Sequence, residues 1–193
     1  MTLARQRYAL ADYFSYDADN NTKYELVAGE IVPMSLGSGR HGEIMHQLGR
    51  YFEQQIVALG QAWVARQGMI GVQSPQRGQW ETVRIPDVVV LPQNQWREIR
   101  DREAVVLLSE PAPIVVAEVV SPSTRSTDYR AKRTEYALLG IGEYWVVDAL
   151  AEQVMICTLV EGFYDTVELK GEQLARSALF PQGNLSVEQL LNP

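Results

Sequence analysis

The polarity pattern of this chain switches between a period of two and a period near 3.6, which marks strands alternating with helices. Residues 24–35, YELVAGEIVPMS, hold two β-rich runs on either side of Ala28-Gly29. Glycine accepts the positive φ of a tight turn, so this pattern predicts a hairpin. Residues 38–59 place Ile44, Met45, Leu48, Tyr51, Phe52, Ile56 and Leu59 at helical spacing, with Ser38 as N-cap and Gly60 as the stop. That is the longest predicted helix. A looser spacing of Leu3, Tyr8, Leu10, Tyr13 and Phe14 predicts a short helix over 2–14.

Strands are predicted over 62–72 and 82–91, the second beginning at an edge or bulge because it contains Pro86. The polar stretch 73–82 between them reads as a loop or hairpin tip, and the alternating charges of 95–103, QWREIRDRE, as a solvated segment. IVVAEVV, residues 114–120, is apolar on both faces apart from one residue, as suits a central strand covered on both sides. A helix over 126–139 follows, ended by Gly140 and Gly142. Strands are then predicted at Glu143–Asp148, Gln153–Val160 and 164–169, with a closing helix over 186–191. The sum is an α/β chain, a mixed β-sheet flanked by α-helices with an N-terminal β-hairpin. No repeat or long linker divides it, so 1–193 is expected to form a single domain.

Composition narrows the function classes. At 46% hydrophobic and 21% charged, the chain supports a packed core. With 17 Lys+Arg against 24 Asp+Glu the net charge is −7, which excludes a protein that holds nucleic acid by bulk positive charge. It leaves room for a local basic channel beside an acidic centre. The single cysteine, Cys157, excludes a disulfide framework and a Cys-rich zinc module. No stretch approaches the ~18 apolar residues of a membrane span, and the amino terminus lacks the apolar region of a signal peptide. A soluble, cytoplasmic protein is expected.

Two acids stand where core strands carry apolar residues: Asp87 begins DVVVL and Glu118 interrupts IVVAEVV. Burying either one costs several kcal/mol unless a cation, a proton or a basic side chain neutralises it. Alternation puts Glu118 on the face of Ile114, Val116 and Val120. On the helix that follows, Asp128, Lys132, Glu135 and Tyr136 share a side. Lys132 can therefore reach the sheet, or make an i,i+4 pair with Asp128 at the surface. His41 and His46 lie about 140° apart around a helix and fit no zincin spacing, so the zincin reading is excluded and His41 is expected to serve the helix start. Trp145 reads as core, whereas Trp80 and Trp96, in polar context, are candidates for base stacking. Arg125, Arg130, Lys132 and Arg133 make a local basic cluster near the two acids.

YELVAGE, IPDVVVL and VVAEVVSPSTRSTDYRAKRTEYALLGIGEYWVVD together resemble the Uma-two family of restriction-endonuclease-like proteins, in the PD-(D/E)xK nuclease superfamily. The resemblance runs from about residue 24 to the carboxyl terminus, and it is most specific between Glu118 and Asp148. It implies a restriction-endonuclease-like fold and a DNA endonuclease. By it, Pro86-Asp87 is the first half-motif and Glu118 the acid of the second. Val120 stands where the standard motif has lysine, and Lys132 on the following helix takes that place. Glu25 matches a family acid that completes the site. Mg²⁺ or Mn²⁺ is the implied cofactor, with Asp87, Glu118 and the carbonyl of Val119 as ligands and Lys132 as catalytic base or charge stabiliser. DNA is the implied substrate and a homodimer the expected assembly, since one small site cuts one strand at a time. The competing expectation is a catalytically silent nuclease-fold binding or regulatory module, in which the same residues form an ion pair.

Overall fold

A computed structural model describes residues 6–16, 22–76 and 80–193 of the chain. The first hairpin forms as predicted, with β1 (Tyr24–Val27) and β2 (Glu30–Pro33) joined by Ala28 and Gly29, both at positive φ. The N-terminal helix is shorter than predicted: α1 covers Leu10–Phe14 and residues 6–9 precede it without helical structure. The start of that predicted helix, residues 2–5, falls outside the described residues. Helix α2 (Gly39–Ala58) is capped by Ser38, whose hydroxyl accepts from the backbone N–H of His41.

The stretch expected as one strand over 62–72 is two. Strand β3 (Trp63–Gln67) ends at Gly68, which turns the chain with φ +55°, and β4 (Gly71–Gln76) leaves into a different sheet. Strand β5 (Trp80–Arg84) pairs antiparallel with β4, so most of the polar stretch 73–82 is strand and not loop. The second long run breaks in the same way. The chain passes Ile85, Pro86 and Asp87 outside any strand and returns to the sheet of β3 as β6 (Val88–Pro92). Proline lacks the N–H that a ladder needs, which ends one pairing and frees the chain to change sheets.

The segment 95–103, read as solvated, contains most of α3 (Gln93–Ile99). Its buried side is narrow: Gln95 and Ile99 turn inward, Trp96 packs at the core edge, and the charged residues mask the rest. Strands β7 (Val105–Val106) and β8 (Val115–Val119) follow, then a π-helical segment, Thr127–Lys132, that continues as α4 (Arg133–Leu138). Strands β9 (Glu143–Asp148), β10 (Gln153–Val160) and β11 (Phe163–Lys170) and helix α5 (Val187–Leu191) complete the chain close to their predicted limits.

Among the described residues there are therefore two sheets, not one. Five strands run in the order β2-β1-β5-β4-β7, and six in the order β11-β10-β9-β8-β6-β3. The six-stranded sheet is mixed, with β8 and β9 parallel and the other neighbours antiparallel. One face packs on α2 and α5 through Leu48, Phe52, Trp145, Phe180 and Leu190. The other packs on α3, α4 and the β4 side of the smaller sheet through Val72, Ile99, Tyr136 and Tyr144. Covered on both faces, β8 and β9 are buried throughout, which explains their near-continuous apolar sequence.

Candidate active site

Sheet register brings the two anomalous acids together. Strands β6 and β8 pair with Val88 opposite Ala117, and one step further brings Asp87 level with Glu118. The Asp87 carboxylate then accepts the backbone N–H of Val119 at 2.7 Å through Oδ2. Its own backbone is fixed from the other side, because the Asp87 carbonyl accepts the N–H of Gly68 where β3 ends. Glu118 shares its face with Val116 and Val120 as alternation predicts, while Ile114, which precedes β8, packs on the opposite side.

Lys132 descends from the π-helical segment to meet this pair. Its Nζ lies 2.8 Å from Glu118 Oε2 and 3.1 Å from Asp128 Oδ1. Both predicted arrangements of Lys132 thus occur at once, and neither is at the surface, because Lys132 is only 5% exposed. One turn on, the Tyr136 hydroxyl donates to Glu118 Oε1 at 2.9 Å. The π register keeps Asp128 and Lys132 on the buried side, and such segments recur at functional sites.

His41 is the site residue that sequence reading missed. Ser38 supplies the helix cap, and the His41 ring instead reaches Asp87, with Nε2 3.0 Å from Oδ1. The signal was present, since His41 lies in the first turn of a long helix whose start faces the beginning of β6. Its partner became visible only once the sheet register was known. His46 is exposed on the same helix and takes no part.

Glu25 occupies a neighbouring network. Leu26 pairs with Val83, so Glu25 stands beside Arg84 across β1 and β5. Its Oε1 accepts the N–H of Ile85 at 3.0 Å and its Oε2 accepts from Arg84 at 3.2 Å. Arg84 in turn holds Glu135 of α4 with two bonds of 2.9 Å, a fork-to-fork pair. Arg84 and Glu135, both buried, tie the smaller sheet to the helix that follows Lys132.

The electrostatics follow from three carboxylates facing one ammonium. Burial raises the Glu118 carboxyl most, Lys132 pulls it back, Asp128 and Asp87 push it up again, and the balance lies at about 8. Asp87 is also raised, by burial first, against the pull of the Val119 N–H, His41 and Lys132. Burial alone lowers the Lys132 ammonium, but Glu118 and Asp128 more than offset it and hold it above the usual lysine value. Because folding raises its pKa, the Glu118 carboxyl takes up a proton more readily in the fold than in the unfolded chain, where its ordinary value is 4.5. Its contribution therefore favours the fold at low pH and is lost as pH rises towards 8. In buffers without divalent cations, the urea midpoint of the wild type is expected to fall between pH 5 and 8. Glu118→Gln is expected to flatten that profile by a few kcal/mol; parallel profiles for the two proteins would refute this assignment.

The basic cluster does not form one surface. Lys132 is buried, Arg125 pairs with Asp148 at 3.2 Å, and Arg133 donates to the Tyr164 carbonyl and the Thr166 hydroxyl on β11. Arg130 is exposed. Trp145 is core as predicted, whereas Trp96 lies under the Arg66 guanidinium at 4.7 Å, and the Trp80 side chain falls outside the described part. No group of three or more His, Cys, Asp or Glu side chains among the described residues is arranged to hold a metal ion. None of the described helices is long and apolar enough to cross a membrane.

The chain is similar to a crystal structure from Anabaena variabilis ATCC 29413 described as "a putative nuclease belonging to DUF820". The two superpose with a TM-score of 0.68 at 16% identity, over 88% of this chain and 89% of that one, a likeness of fold. Comparison with curated proteins gives no match. The Uma2 family model, described as "Putative restriction endonuclease", matches residues 10–188, a span that includes both sheets, Asp87, Glu118 and Lys132. The chain belongs to the Uma2 family.

Proposed function

We propose that this protein is a divalent-metal-dependent DNA endonuclease, with Asp87 and Glu118 as its metal-binding carboxylates and Lys132 as its charge stabiliser. The observation that carries this reading is the register of β6 and β8, which brings the acid just before β6 and the acid within β8 together beneath a buried lysine. The donor set suits the implied cofactor. Two carboxylates and the Val119 carbonyl are all-oxygen ligands, and Mg²⁺ or Mn²⁺ binds through few protein oxygens while water and phosphate complete the octahedron. The surplus of carboxylate charge over ammonium charge, with Asp128 Oδ2 buried and unpartnered among the described residues, also favours a cation. When bound, the metal supplies a water of lowered pKa and polarises a phosphoryl oxygen.

The chain's own residues do the rest. Lys132, kept protonated by its two carboxylates, offers positive charge to a phosphate in place of acting as a base. His41 and the Val119 N–H fix the Asp87 carboxylate from two sides. Tyr136 fixes Glu118. Glu25, occupied by Arg84 and the Ile85 N–H, braces the hairpin against β5 and acts on the site through that brace.

A second reading has its own observation. All four oxygens of Asp87 and Glu118 already have protein partners, as in a silent scaffold held together by ions. Incubating purified protein with supercoiled plasmid in Mg²⁺, Mn²⁺ or EDTA separates the two. Nicked circles in metal and none in EDTA are expected, and a homodimer adds linear product. Intact plasmid across both metals and a range of salt would leave the scaffold.

A further inference from the structure

Asp128 is given no metal or catalytic role in the reading above, yet its side chain is almost fully buried at 1% exposure. Neither oxygen accepts a well-formed hydrogen bond among the described residues. Among the described residues its ion-pair partner is the Lys132 ammonium, 3.1 Å from Oδ1. A buried carboxylate left this bare is costly, and such groups in folded proteins call for an explanation. The backbone beneath it, in contrast, is held firmly. The Asp128 N–H donates to the Thr124 carbonyl at 2.9 Å, and the Asp128 carbonyl accepts from the Tyr144 hydroxyl at 2.9 Å. The carboxylate is a fixed post with spare acceptor capacity.

The Lys132 ammonium stands between this post and Glu118 Oε2, which it meets at 2.8 Å. A divalent cation that takes Glu118 must compete with that ammonium for the same carboxylate, at like-charge repulsion. If Glu118 were its only partner, Lys132 would either stay and oppose the cation or lose its counter-ion in a buried site. Both are unfavourable. An ammonium carries three donors, so it can shift its weight from one carboxylate to the other without breaking away from protein.

Taking the nuclease reading as given, we propose that Asp128 is the positioning residue onto which Lys132 transfers when a divalent cation takes Glu118. It keeps the lysine charged and beside the site while clearing Glu118 for the metal. Asp128 then acts on metal binding only through Lys132, and not as a ligand of its own.

A double-mutant cycle on Mn²⁺ affinity tests this, by calorimetric titration of the full chain with the metal alone. In the wild-type background, Asp128→Asn is expected to weaken Mn²⁺ binding at least tenfold. In a Lys132→Gln background the same substitution is expected to change affinity less than threefold, because there is no ammonium left to hold. Equal losses in both backgrounds would make Asp128 a direct ligand or a general source of negative charge, and would overturn the proposal. No loss in the wild-type background would overturn it too. Melting curves accompany each variant, and Lys132→Met replaces Lys132→Gln if the glutamine variant does not fold. Absence of Mn²⁺ binding by folded wild type is a separate outcome: it overturns the nuclease reading and the transfer with it.

Discussion

Glu118→Gln is expected to cut metal-dependent plasmid nicking by roughly a thousandfold, about 4 kcal/mol of transition-state stabilisation, while the protein stays folded. Glutamine keeps the shape of glutamate and an oxygen for the Tyr136 hydroxyl, but turns neutral where the anion is needed. Its amide group also faces the Lys132 ammonium, donor against donor, so Lys132 is left to Asp128. The fold tolerates the change because burial already works against the charged form of Glu118. Asp87→Asn is expected to lose as much, since it neutralises the acid held just before β6 at the same site and unsettles both its His41 and Val119 contacts. Initial nicking rates in Mg²⁺ and Mn²⁺, set beside melting temperatures, check both. A folded variant at either position that nicks within tenfold of wild type would sink the assignment. Loss of activity accompanied by loss of the fold would instead support the ion-paired scaffold.

These residues were legible because chemistry singled them out against a simple background. An acid within IVVAEVV or at the head of DVVVL has no ordinary reason to be there, whereas Lys132 on the helix that follows took its role from the family resemblance. Hairpin β1–β2, helix α2 and strands β8 to β11 were equally plain, since each is long enough for one period to dominate. What escaped was set by partners rather than by local pattern. Residues 62–72 carry strand-forming character throughout, and only the Gly68 turn and pairing with β5 send the second half into another sheet. Helix α3 buries too few positions to show a clean stripe. The ring of His41 and the occupied carboxylate of Glu25 depend on residues 46 and 59 positions away, Asp87 and Arg84, which no local reading connects.

Arg84 itself drew no notice in the sequence, and its removal is expected to do the greatest damage to the fold. Arg84→Met takes one partner from a buried pair and leaves Glu135 and Glu25 with uncompensated charge, a change that costs about 3–5 kcal/mol. The guanidinium is buried, and its two bonds to Glu135 hold it above the usual arginine value despite the penalty of burial. Methionine fills much of the space, so the loss reports charge and hydrogen bonding more than a cavity. Urea unfolding at neutral pH measures it, and a cost under 1 kcal/mol would show that water or rearrangement satisfies Glu135. The double variant Arg84→Met with Glu135→Gln is expected to recover part of the loss, because the stranded carboxylate goes with the arginine. The same brace links the smaller sheet to α4, the helix that carries Tyr136 and continues directly from Lys132. Loosening it is therefore expected to slow nicking even in variants that remain folded, because a charge stabiliser works only where it is held. A nicking rate that survives at wild-type level in folded Arg84→Met would separate the brace from the site and make it a device of stability alone.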